Sequence, residues 1–171
     1  SNFRKVKRIQ DVIKIHSIVS KNISTRLILI GDGPERSSME RLAREEGVEK
    51  STYFLGKIKE TEKALCLADV YLMTSATESF GVSALEAMAS GVPVISSNTG
   101  GIPEVNIHDE TGFLSKVGDV ENMAENLIKL LADAKLYTRL SVNAYKRAQQ
   151  FNISNVLPLY ERLYNELLSK L

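Results

Sequence analysis

One repeated arrangement limits what this chain can fold into: a short apolar run stops at a small or glycine-rich turn, and a helical stretch follows. Arg26-Leu27-Ile28-Leu29-Ile30 ends at Gly31-Asp32-Gly33-Pro34 and leads into a charged amphipathic stretch from Glu35 to Glu46. Tyr53-Phe54-Leu55 stops at Gly56, Val70-Tyr71-Leu72-Met73 at Thr74-Ser75, and Pro93-Val94-Ile95-Ser96 at the Asn98-Thr99-Gly100-Gly101 turn. Each run has strand length, is rich in aliphatic and β-branched residues, and lacks clean alternation, the pattern of strands buried on both faces. Strands alternating with helices predict an α/β fold, a Rossmann-like doubly wound parallel sheet with helices on both faces. Past residue 118 the pattern turns helical. Asp119 is placed to cap a helix carrying Met123, Leu127, Leu130 and Leu131. Helical segments at 135–149 and 154–170 follow, the second carrying Leu159, Leu163, Leu167 and Leu168.

Composition removes several function classes. A chain of 171 residues that is 43% hydrophobic and 25% charged has the length of one domain and a globular balance. With 22 basic and 21 acidic residues the net charge is +1, which lacks the overall basic excess of a nucleic-acid-binding surface. The longest apolar runs fall far short of the ~20 residues that span a bilayer. A single cysteine, Cys66, excludes an internal disulfide and a multi-cysteine metal site. Its neighbours Ala64-Leu65 and Leu67-Ala68 predict a buried, inert thiol. No secretory signal is visible, so the expected location is cytoplasmic. The chain begins at Ser1-Asn2-Phe3 without methionine, which fits processing or a fragment of a longer protein.

Ligands of open α/β sheets bind at the carboxyl ends of the strands. That rule marks four loops, at 31–34, 56–58, 74–81 and 98–104, three of them rich in glycine, which suits close approach of backbone to a ligand. The most informative segment runs from Glu78-Ser79-Phe80-Gly81-Val82 to Gly91-Val92-Pro93. A helix starting near Gly81 or Val82 offers free N–H groups and the positive end of its dipole to an anion, a phosphate above all. Gly81 is expected to remove a side chain that would block that approach. Val82, Leu85 and Ala89 mark an apolar face, with Glu86 on or beside it. A carboxylate there needs a partner, either a neighbouring Lys or Arg or a pair of ligand hydroxyls. Glu78 sits eight residues earlier, in the loop, where an acid also stabilises a helix start. Two carboxylates raise glycosidase chemistry, but bracketing a phosphate site is the wrong company for hydrolysis of a neutral sugar.

Arg4, Lys5, Lys7 and Arg8 place four cations in five residues. They form either a solvated basic turn or a clamp for a diphosphate that stabilises a departing leaving group. Without interleaved aromatics, a single-strand nucleic-acid site is disfavoured. Gly31-Asp32-Gly33-Pro34 falls short of a dinucleotide fingerprint because residue 36 is Arg, and Gly100-Gly101-Ile102-Pro103-Glu104 is equally a tight turn with a helix-initiating proline. His16 and His108 lack a second ligand at useful spacing and read as structural. No Asp-x-Asp pair exists to hold a metal on a diphosphate.

Taken together, these segments resemble the C-terminal, nucleotide-sugar-binding half of a family 4 glycosyltransferase with the GT-B fold, over nearly all of residues 1–171. The most specific part is Glu78-x7-Glu86 with Ala87-Met88-Ala89-Ser90-Gly91-Val92-Pro93-Val94. Ile30–Pro34, Phe54–Gly56, Gly100–Glu104 and Thr111–Leu114 support it. The resemblance implies roles: Glu86 for ribose hydroxyls, Glu78 for the donor sugar, and groups around Ser79, Phe80, Gly81 and Val82 for sugar and diphosphate. Lys7 would bind the diphosphate, Lys57 and Ile58 would face the base, and Gly31 and Gly33 would flank the nucleotide. It implies a retaining hexosyltransferase that uses a UDP-sugar as substrate, with no cofactor and no metal on the diphosphate. One departure stands out, because Asn2 occupies the place of the family's usual arginine, so that contact falls to Arg4 or is lost. The segment Ser1 to Arg8 resembles that of a branch joining N-acetylglucosamine from UDP to L-malate in bacillithiol biosynthesis. The acceptor side belongs to an N-terminal domain that this chain does not contain, so the domain alone should turn over little, and a homo-oligomer of the full enzyme stays open. The competing reading is a nucleotide-binding or protein-interaction module without transfer activity; another is transfer to a sugar or lipid acceptor.

Overall fold

The computed structural model describes residues 2–169; Ser1 and the last residue of the helix expected over 154–170 lie outside them. Five parallel strands alternate with helices, which is the predicted α/β architecture. They are β1 (Leu27–Ile30), β2 (Thr52–Gly56), β3 (Tyr71–Met73), β4 (Val94–Ser97) and β5 (Gly112–Ser115). The helices are α1 (Ile9–Ser20), α2 (Arg36–Glu45), α3 (Thr61–Leu65), α4 (Val82–Ala89), α5 (Ile102–Val105), α6 (Val120–Ala132), α7 (Ala134–Gln150) and α8 (Ile153–Leu168). Asp119, Asp133 and Asn152 cap the last three, each accepting from first-turn N–H groups.

The expected single sheet is divided. Strands β1 and β2 pair, with Leu27 opposite Thr52, while β3, β4 and β5 form a second ladder in that order. Among the described residues no ladder joins β1 to β3, and a cavity of about 950 Å3 lies between them. The strand β5 has no counterpart among the predicted runs. It begins at a glycine and holds only two large apolar residues, Phe113 and Leu114, too few to stand out locally.

Burial on both faces holds for β4, all four of whose residues are buried. It fails for β1 and β2, where Ile28, Tyr53 and Leu55 are exposed. Their opposite faces, through Leu29 and Phe54, pack with Phe3, Val12, Ile13, Met39 and Ala43. Ile28 instead lines the cavity between the two ladders, together with Thr61, Ala64 and Leu65 of α3. Cys66 follows α3 and is exposed, not buried as its apolar neighbours predicted. The main core joins Ile15 and Val19 of α1, Ile95, Phe113, and the inner faces of α6 and α7. Helix α8 buries none of its residues, and Leu159, Leu163, Leu167 and Leu168 all face outward.

Candidate functional site

The site is built where the strands end, and residues 2–8 hold it together. Backbone pairing of Phe3 with Asp32 and of Glu35 with Phe3, at 3.0 and 3.1 Å, ties this segment to the loop after β1. The Ala76 N–H donates to the Val6 carbonyl at 2.8 Å, tying it also to the loop after β3. The N-terminal segment thus bridges the carboxyl ends of both sheets.

Two predicted residues that stand 71 positions apart meet directly. The Lys7 ammonium lies 2.5 Å from the Glu78 carboxylate, both half-buried or better. Arg8 instead pairs with buried Asp11, and Arg4 and Lys5 are exposed, with no ion pair to either among the described residues. The basic run is therefore neither a uniform solvated turn nor a four-fold clamp. One cation faces the site, one anchors the fold, and two point to solvent. Asn2 is exposed and bridges Asp32.

Helix α4 begins at Val82 behind Gly81, as predicted; Ala84 and Leu85 donate to the Gly81 carbonyl at 2.9 and 3.1 Å, while among the described residues the Val82 and Ser83 N–H groups donate to no carbonyl. Gly81 serves a different purpose from the one expected. A Cβ there would point inward, 3.7 Å from Ile102 and 3.9 Å from the Met73 sulfur, which is ordinary contact; what demands glycine is its φ of 92°. The apolar face of α4 is also a correction. Ala84, Ala87 and Met88 are buried, packed with Ala144 and Ala148 of α7, while Val82 is exposed and Leu85 half-buried. Close helix packing selects alanines, whose apolar signal in a sequence is weaker than that of Val or Leu. Glu86, on the Val82 side, is consequently exposed, and no Lys or Arg lies within ion-pair distance of it among the described residues. Of the two partners considered for it, the neighbouring cation is absent.

The loop carrying Glu78 is braced from below. Gly101 donates to the Glu78 carbonyl at 3.1 Å, and Thr99 donates its hydroxyl to the Ala76 carbonyl at 3.0 Å. The Phe80 ring turns inward, edge-on to Phe151 at 5.6 Å, which leaves backbone rather than ring on the ligand side; Ser79 is exposed.

On the other sheet, Gly31 donates to the Gly56 carbonyl at 2.8 Å, which sets Lys57 and Ile58 beside the loop after β1. Gly33 passes so close to Phe3 that a Cβ would come within 2.7 Å of its carbonyl. Of the predicted residues, Lys7 and Glu86 line the large cavity, whereas Ile58 lines a smaller depression with Lys59, Glu60 and Lys63. One cavity residue, Tyr71, escaped sequence reasoning. Burial pushes the Tyr71 phenol above its usual value; its hydrogen bond with Ser83 pulls it back, and the Glu86 and Glu78 carboxylates add to the rise. Tyr71 reads in sequence only as a strand residue, and nothing local marks it as facing two acids.

His16 and His108 are structural. His16 is buried within 2.8 Å of the Ser51 hydroxyl and 3.3 Å of Thr25, and burial holds its pKa below the ordinary value. The His108 ring accepts from the Leu114 N–H. Among the described residues no three His, Cys, Asp or Glu side chains cluster to hold a metal, and no helix is long and apolar enough to cross a membrane.

Known proteins resemble this chain in sequence and fold. The chain is 40% identical over 169 residues to N-acetyl-alpha-D-glucosaminyl L-malate synthase of Bacillus anthracis, covering 98% of this chain and 44% of that enzyme. The C-terminal domain of a glycosyl transferase group 1 family protein from Francisella tularensis superposes with a TM-score of 0.81 at 28% identity, covering 88% of this chain and 82% of that one. Anabaena HepE, solved in complex with UDP, superposes with a TM-score of 0.86 at 26% identity, covering all of this chain and 47% of that one. The chain spans less than half the length of the curated relatives it matches. The family described as "Glycosyl transferases group 1" matches residues 1–147, which include the Lys7–Glu78 pair, the start of α4 and Glu86; the chain belongs to that family.

Proposed function

We propose that this chain is the donor-binding half of a retaining family 4 glycosyltransferase, that its donor is UDP-N-acetylglucosamine, and that the acceptor is L-malate. The observation that carries the reading is the grouping at the start of α4. The free N–H groups of Val82 and Ser83 stand at the end of the loop that carries the Lys7–Glu78 pair, and a carboxylate without an ion pair, Glu86, follows one turn along the helix. These groups match the parts of a nucleotide-sugar: N–H donors and an ammonium for the diphosphate, a carboxylate for ribose hydroxyls. The 40% identity to the B. anthracis L-malate synthase supports the choice of sugar and acceptor, and the UDP complex of HepE supports the choice of nucleotide.

Because Lys7 and Glu78 touch each other, a donor that meets Lys7 through its diphosphate has its sugar beside Glu78. Lys7, with Arg4 swinging in from solvent, stabilises the charge that develops on UDP as the bond to the sugar breaks. Such contacts accelerate transfer only as far as they strengthen in the transition state. In this reading cations and backbone N–H groups neutralise the diphosphate and no metal is needed. The L-malate site lies on an N-terminal domain of the same enzyme, so this half binds donor and turns over little.

Calorimetric titration of UDP-N-acetylglucosamine into the folded chain tests the reading. Saturable binding is expected, unchanged by EDTA. No heat at millimolar donor, from protein with a cooperative thermal transition, sinks it. Release of UDP by the complete enzyme with a sugar acceptor but not with L-malate would remove the acceptor assignment alone.

A further inference from the structure

Three consecutive carbonyls of the N-terminal turn are held by one short segment. The Val6 carbonyl accepts from the Ala76 N–H, and the Lys7 and Arg8 carbonyls both face the Thr74 hydroxyl, at 3.1 and 3.0 Å. Thr74 is buried and directly follows β3, so its position is set by the sheet. A hydroxyl has one hydrogen to donate, and here two carbonyls share it.

The backbone it holds is one that would not keep its shape alone. Arg8 lies at φ 48° and ψ 45°, the left-handed region that side-chain-bearing residues avoid, and it separates the short turn Lys5–Lys7 from α1. Such a conformation persists where surrounding contacts over-determine it. Here they are the Arg8–Asp11 ion pair, the Asp11 N–H donating to the Arg8 carbonyl at 2.9 Å, and Thr74. Four residues beyond Thr74 the same loop carries Glu78, whose carboxylate holds the Lys7 ammonium. Lys7 is thus gripped twice by one loop, at its carbonyl by Thr74 and at its ammonium by Glu78.

We propose that Thr74 is a positioning residue for the donor's diphosphate: its hydroxyl fixes the backbone from which Lys7 reaches into the site. The proposal rests on the donor-site reading above. It separates Thr74 from a residue of general structural value, because its loss should weaken recognition of phosphate and leave recognition of the nucleoside alone.

The test compares uridine with UDP on the wild-type chain, Thr74→Val and Thr74→Ser, with Thr74→Ala in place of Val should the larger side chain abolish the cooperative transition. The Val variant keeps the shape and removes the donor. Its preference for UDP over uridine should narrow by about fivefold, the scale of one net hydrogen bond, with uridine affinity held within about twofold. The Ser variant should recover the wild-type ratio. An unchanged ratio, an equal loss of both ligands, or no rescue by Ser would overturn the proposal. A second measurement needs no ligand: acetylation of Lys7 relative to exposed Lys5, read by mass spectrometry, should rise at least about twofold in Thr74→Val as the turn loosens. An unchanged labelling ratio overturns the positioning role. If the wild type binds neither uridine nor UDP, the donor reading fails, and the labelling still decides whether Thr74 positions Lys7.

Discussion

The bracing of the Glu78 loop can be broken by a single methyl group. Gly100 has φ of 54°, and a Cβ placed on it would fall inside the contact distance of the Glu78 carbonyl oxygen. Gly47 provides an internal control: its φ is 73°, and a Cβ there would meet nothing within 4 Å. Alanine at either position carries the left-handed penalty of roughly 1–2 kcal/mol, offset by about 0.4–1 kcal/mol from the stiffer unfolded chain. Gly47→Ala should therefore cost about 1 kcal/mol, which for a chain of this size lowers Tm by about 2–4 °C. Gly100→Ala adds a collision with backbone, which cannot turn away as a side chain can, for a further ~2 kcal/mol and a total Tm drop of about 6–12 °C. To relieve it the Glu78 backbone must retreat by roughly 1 Å, a displacement that in an oriented site costs up to about a hundredfold. Donor affinity should fall at least about tenfold in Gly100→Ala and less than about twofold in Gly47→Ala. Differential scanning calorimetry and titration with UDP-N-acetylglucosamine read the two effects. Equal behaviour of the two variants would refute the argument, since only the contact with Glu78 distinguishes them.

Other expectations follow from single residues. Glu86→Gln should leave Tm within about 1 °C of wild type, because no ion pair is lost, while UDP affinity drops by about tenfold from a weakened hydroxyl contact; a stability loss without an affinity loss would contradict the site. His16 has a folded-state pKa below its unfolded value of 6.5, so the unfolded chain binds the proton more readily. Stability should be full above that value and decline as the pH falls through it. Urea midpoints between pH 5 and 8 should show that decline in wild type and a flatter profile in His16→Asn (approximate pH range from the ordinary histidine titration). Cys66 is exposed and should react fully with a thiol reagent in the native state; protection that lasts until unfolding would restore the buried thiol that its neighbours predict.

Much of the fold was legible because it depends on local signals. Four strand ends, the capping aspartate at 119 and the helical C-terminal third all follow from turn residues and spacing along the chain. What escaped depends on segments that arrive from elsewhere. The inner face of α4 is decided by Ala144 and Ala148, some 60 residues later, and no pattern within 82–89 announces them. Exposure of Ile28 goes with the cavity beside β1, which a local apolar run does not announce. The pairing of Lys7 with Glu78 is not marked locally, because 71 residues separate them; the resemblance implies only neighbouring roles, Lys7 at the diphosphate and Glu78 at the sugar.

The glycines make the clearest distinction between what a sequence marks and what it means. Their abundance in the loops at strand ends suited a ligand needing room. In the structure, protein takes up that room: the space beside Gly33 holds Phe3, and the spaces beside Gly100 and Gly101 hold the Glu78 and Ser79 carbonyls. Each loop is pressed against another, and the glycine permits that contact. The effect on a ligand is therefore indirect but strong. Glu78 and Lys7 belong to a loop and a turn that would drift alone, yet they are held at 2.5 Å by segments from three parts of the chain. A pair held in this way needs little reorganisation of its own, which suits the electrostatic role proposed above for Lys7.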